Sequence, residues 1–131
     1  VNVLRLVPSV RPGEVFLGGA IRTHREYLDF EIDGARLGES LRSRGDDVIA
    51  VAPADLGLDA LPDGRVPLFV CPECGDLGCG AVTVIVERTA DEVVWRDFGW
   101  QTDYDPEVSR ESYAGLGPFR FARAQYDAVF S

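Results

Sequence analysis

The 131-residue sequence contains no lysine and no methionine, a single asparagine (Asn2), a single histidine (His24) and four isoleucines. Without lysine, Schiff-base catalysis, pyridoxal-phosphate anchoring and lysine-bearing phosphate loops are excluded. The scarce residues are largely those with AT-rich codons, so a GC-rich bacterial genome accounts for them without a functional cause. No apolar run approaches the roughly 18 residues of a membrane-spanning helix. Arg5 and Pro8 interrupt the opening residues, which therefore offer no secretory core, and no Asn-x-Ser/Thr acceptor is present. Cysteine is sparse too: Cys71, Cys74 and Cys79 cannot all pair within one chain. Together these features make the reducing cytoplasm the expected location.

Positive charge is also in short supply. Against 22 acidic residues stand 13 arginines, for a net charge of −9. That balance repels a phosphate backbone, so nucleic acid is not an expected partner, and without an apolar span neither is a membrane. It suits solubility, or attraction to a basic protein partner. Hydrophobic residues make up 46% and charged ones 27%, ordinary globular usage, which excludes a disordered chain. The length favours one domain over residues 1–131.

Short elements separated by glycine and proline fill the chain. Residues 2–7 read as a strand that Pro8 stops, and residues 14–22 as a second strand weakened by Gly18-Gly19. Residues 27–33 alternate cleanly, with Leu28, Phe30 and Ile32 on one face and Asp29, Glu31 and Asp33 on the other. Asp33-Gly34 turns the chain into a short helix over about 35–44, closed by Gly45. Residues 48–52 form a candidate strand, followed by a loop to Gly64 with room for one helical turn.

Three runs rich in Val, Phe and Trp follow, over about 66–71, 81–88 and 93–100. The polar connection at residues 89–92 joins the last two as an antiparallel hairpin. Val82, Val84 and Val86 supply its apolar face. A second helix is expected over about 121–130, with Ala122, Tyr126, Val129 and Phe130 on one side. The fold class is therefore α+β: a mostly antiparallel sheet with two short helices packed on it.

Chemistry concentrates in one loop. Cys71 ends a strand and Cys79 precedes the next, so an antiparallel pairing would bring them together at the loop's base, with Cys74 folding back over it. Several readings fit this loop. Zinc held by Cys71, Cys74 and Cys79 would take a fourth ligand from His24, Asp76, Glu73 or water. A metal-free turn would use the cysteines as small hydrophobes. Thiol–disulfide chemistry would use Cys71 and Cys74, although Gly75, Gly78 and Gly80 oppose the helix such a pair normally opens. Cys–His catalysis through His24 lacks an orienting third group.

The string Cys71-Pro72-Glu73-Cys74-Gly75-Asp76-Leu77-Gly78-Cys79-Gly80, followed by the arm Val93-Val94-Trp95-Arg96-Asp97-Phe98, resembles a group of small bacterial proteins. That resemblance covers about residues 69–100 and implies no particular reaction. Locally, Cys71 to Gly75 is similar to a zinc-ribbon knuckle, without the second Cys-x-x-Cys clasp of that family.

Two acidic stretches imitate calcium loops. The one beginning at Asp29 places Ser40 where a closing glutamate belongs, and the one at Asp103 lacks its glycine. Alternation makes the first a strand's wet face. Trp95 and Trp100 are five apart, hence expected on opposite faces of one strand. One of them would then be free to anchor a protein partner beside Asp103 and Asp105, unless it packs beneath a helix. The functional expectation is a non-catalytic acidic interaction module, of the kind that inhibits or neutralises a basic enzyme, with a structural or zinc-held cysteine loop. The alternatives are a thiol–disulfide oxidoreductase using Cys71 and Cys74, and a thiolate–zinc site with an open position for water.

Overall fold

A long β-ribbon starts the chain. Strand β1 (Leu4–Arg11) pairs antiparallel with β4 (Arg25–Ile32), Leu4 opposite Ile32 and Arg11 opposite Arg25. Between them, β2 (Glu14–Val15) and β3 (Ile21–Arg22) continue the ribbon outward as a small hairpin. The computed structural model describes residues 1–15, 17–19, 21–56, 64–73, 80–102 and 105–130.

Pro8 does not stop β1, because of where its nitrogen falls. Leu4 gives its N–H to Gln125 Oε1 (3.1 Å) and its carbonyl accepts from Gln125 Nε2, so β1's even-numbered residues direct their main-chain groups away from β4. Pro8 belongs to that outward set on an edge strand, where its missing N–H is not needed. Similarly, the expected strand at 14–22 is two strands, and Gly18 and Gly19, both at positive φ, lie in the connection between them.

Asp33 and Gly34 turn the ribbon with positive φ at both positions, as a two-residue hairpin of the primed type requires. The turn delivers the chain into β5 (Ala35–Arg36) before the helix α1 (Leu37–Ser43) begins. The helix expected over 35–44 is therefore shorter at its start. Gly45 at positive φ closes it as expected, donating to Arg42 O.

The main sheet runs β10–β9–β8–β7–β6, built from β6 (Ile49–Ala50), β7 (Val66–Val70), β8 (Ala81–Arg88), β9 (Glu92–Thr102) and β10 (Asp105–Ser109). The hairpin expected at 81–88 and 93–100 is β8–β9, with Thr89 closing its turn by donating its N–H to Glu92 O. β11 (Phe119–Ala122) pairs with the first part of β9, and α2 (Arg123–Val129) follows. The helix expected over 121–130 thus starts later, because Phe121 and Ala122 are in the sheet. All strand pairs within the sheets are antiparallel, giving an α+β fold.

The ribbon and α2 pack on one face of the main sheet, with Trp95 at the centre. Its fully buried ring meets Phe30 (5.2 Å), Phe121 (5.1 Å) and Tyr126 (6.0 Å) edge-on, and its indole N–H donates to Tyr126 Oη at 3.2 Å. Each such aromatic pair adds about 0.5–1.5 kcal/mol beyond the burial itself.

Two faces differ from what alternation predicts. In β4, Phe30 and Ile32 are buried but Leu28 is exposed, and Asp29 is fully buried instead of wet. The ribbon twists, so its odd-numbered residues turn inward at the far end, where Ser9 and Arg11 are also buried. In β9 a bulge changes the count. Thr83 opposes Gly99 and Ile85 opposes Arg96, so two steps on β8 match three on β9, with Asp97 at φ 56°. Trp95 and Trp100 consequently lie on the same face, opposite Val86 and Val82.

Candidate functional site

Arg11 lies at the end of β1 with only 2% of its side chain exposed. Its guanidinium forks onto Asp47, Nε to Oδ1 at 3.1 Å and Nη2 to Oδ2 at 2.6 Å. Nη1 donates to Glu73 Oε1 (2.6 Å) and to the Thr23 carbonyl (2.5 Å). Glu73 is further held by Thr23, whose N–H donates to Oε1 (3.0 Å) and whose hydroxyl donates to Oε2 (2.6 Å). Arg25 donates to the carbonyls of Pro72 and Glu73. The first residues of the cysteine loop are therefore fastened to the ribbon. The Thr23 hydroxyl and N–H, then Arg11, hold the Glu73 carboxyl down at about 2. Hydrogen bonding to Arg11 likewise keeps Asp47 below its ordinary value, with Arg22 adding to it.

This fastening occupies both oxygens of Glu73, one of the carboxylates considered as a zinc ligand. His24 is exposed, with Nε2 3.8 Å from Glu26 Oε1. Cys71 is a half-buried free thiol, while Cys74, Cys79 and Asp76 lie outside the described residues. Among the described residues no three His, Cys, Asp or Glu side chains converge as a metal site.

A second arginine supports the sheet's other face. Arg65, 3% exposed, donates from Nε to Thr83 Oγ1 (2.9 Å), from Nη2 to the carbonyls of Thr83 and Asp97, and from Nη1 to Asp97 Oδ2 (2.9 Å). Arg110 reaches the same carboxylate at 2.8 Å, and its hydrogen bond is the main cause that lowers the Asp97 pKa. These contacts hold the bulge. A Cβ on Gly99 would strike Val108, so only glycine lets β10 close over β9 there.

Because of the bulge, Trp100 reaches a cleft. The chain matches no family model, no curated protein and no solved structure. The cleft has a volume of about 350 Å³ and is lined by Gly45, Asp46, Asp47, Trp100, Ser109, Ser112 and Tyr113. Trp100 packs against the core and remains partly exposed. Its ring also lies over Gly80, where a side chain would collide with it, so the end of the cysteine loop borders this site. Tyr113 is buried, and its hydroxyl pairs with Asp46. Burial first, then Asp46, pushes its pKa up to about 12. The Arg44 guanidinium stands 5.7 Å from the Tyr113 ring centre.

Of the residues considered for partner binding, Trp100 is partly exposed. Trp95 is fully buried at the centre of the core, and the bulge after it brings Trp100 onto the same face. Asp103 and the side chain of Asp105 lie outside the described residues. Sequence reasoning missed Asp46, Asp47, Ser109, Ser112 and Tyr113, which come from segments with no periodic pattern. The pair Asp46-Asp47 directly after a helix-ending glycine was the one available signal.

Proposed function

We propose that this chain is a non-catalytic binding module for a basic protein, of inhibitor or immunity type, and that the Trp100 cleft receives a cationic side chain of that partner. The observation that carries this reading is a partly exposed tryptophan in a cleft lined by Asp46 and two serines, with Asp47, already held by Arg11 and Arg22, as a wall. A guanidinium or ammonium over an indole face gains about 0.5–2 kcal/mol. Charge supports the same partner. At least eight of the 13 arginines already pair with carboxylates of the chain, so the acidic excess is the field a partner meets. Under this reading the cysteine loop is a structural border of the site, fastened through Glu73 at one end and packed under Trp100 at the other. Thiol exchange and zinc binding depend on Cys74 or Cys79, which lie outside the described residues.

The immobilised chain is expected to retain a basic protein from its native host at low salt and release it as salt rises. Against that purified protein, Trp100→Ala should weaken binding at least tenfold. Recovery of no basic partner, or binding indifferent to both salt and Trp100, overturns the proposal.

A further inference from the structure

Beyond Pro12-Gly13 the ribbon continues as the β2–β3 arm, which among the described residues pairs with no other strand. Val15 faces Ile21 across it, and Gly18-Gly19 turns near its tip. Val15 is 76% exposed, Ile21 68%, and Leu17 fully exposed. Single exposed apolar side chains are ordinary, but three within seven residues on an outlying hairpin call for a covering surface.

We infer that this arm is the apolar anchor of the partner interface, inserting into an apolar socket rimmed by lysine and arginine of the basic protein. The inference deepens the proposed function and rests on it. Two observations select this occupant. First, the exposed carboxylates beside the arm are Glu14 and Glu26, the latter 3.8 Å from His24, whereas Arg22 is committed to Asp47 at 3.2 Å and Arg25 to the carbonyls of Pro72 and Glu73. A second copy of the chain would bring the same carboxylates and the same −9, and an anionic bilayer would repel them as well. Second, Asp47 belongs to both places. It is a wall of the Trp100 cleft and the ion-pair partner of Arg22 at the base of the arm. One partner surface can therefore cover cleft and arm together, with the arm supplying buried apolar area and the cleft supplying charge recognition.

A photo-reactive residue at position 17 of the full-length chain tests the contact, followed by titration of the purified partner with Leu17→Asp and Ile21→Ser. The expected cross-link lies in an apolar depression of a basic protein with lysine or arginine around it. Leu17→Asp should weaken binding at least tenfold and Ile21→Ser several-fold, with unchanged circular dichroism and melting, since both side chains are exposed. Cross-linking to a second copy with a dimeric mass by light scattering, or association with neutral or anionic vesicles, overturns the inference. Loss of binding in Trp100→Ala but not in Leu17→Asp removes the arm and leaves the basic-partner reading standing. Failure of every form of the chain to bind a basic protein removes both.

Discussion

Arg11 and Arg65 are almost equally sealed from solvent, and each donates to a carboxylate and to a main-chain carbonyl, yet they hold different kinds of structure. Arg65 joins partners rooted in β8 and β9 of one sheet, beneath it. Arg11 joins segments far apart in sequence: the end of β1, Thr23, Asp47 and Glu73. Their acceptors differ too. The carboxylates on Arg11 are 42% and 41% exposed, whereas the Asp97 carboxylate on Arg65 is 27% exposed and Thr83 is fully buried. A buried arginine is thus a fixed strut when its acceptors are buried with it, and a releasable fastener when they can return to water.

Three substitutions probe that distinction, in decreasing order of effect. Arg65→Ala should destabilise the chain by about 3–5 kcal/mol in urea denaturation, because it strands buried polar groups. It should also shift Trp100 fluorescence, since the bulge that places the ring loses its support. Arg11→Ala should cost only about 1–2 kcal/mol, since Asp47 and Glu73 rehydrate. Its specific mark is faster alkylation of Cys71 in the native state, which Arg65→Ala should not reproduce. Equal stability losses, or equal thiol exposure, would erase the contrast.

The smallest effect concerns pH. Folding lowers Glu73 from its ordinary 4.5 to about 2, so its contribution is complete above 4.5 and is lost as pH falls through about 2. Glu73→Gln should flatten the stability profile within that window and leave the slope near neutrality unchanged. An unaltered acid limb would show that the Arg11 cluster does not hold the loop through this carboxylate.

The legible parts of the fold were those in which one local pattern decides. The β8–β9 hairpin, the Asp33-Gly34 turn and the glycine after α1 follow from alternation and from backbone conformations that few residues adopt. Pro8 misled because a proline's effect depends on which side of a strand its nitrogen faces, and only the neighbouring Gln125 reveals that side. Asp29 misled because twist, not period, decides which face is inside at the end of a ribbon. It is buried accepting N–H groups from Phe30, Gly38 and Glu39, with burial raising its pKa. In the candidate site, Trp100 stood out as a residue type, while its companions come from residues 45–47 and 109–113 and have no signature of their own.

Charge balance and side-chain period, properties of the chain alone, determined the acidic character, the exclusion of lysine chemistry and the mostly antiparallel α+β class. Tertiary structure put Trp100 on the same face of β9 as the buried Trp95. One extra residue in β9, held by Arg65 and Arg110, reverses the parity of every side chain beyond it. A bulge held by ion pairs between residues far apart in the chain leaves no trace in local sequence, so the cleft exists only in the folded molecule.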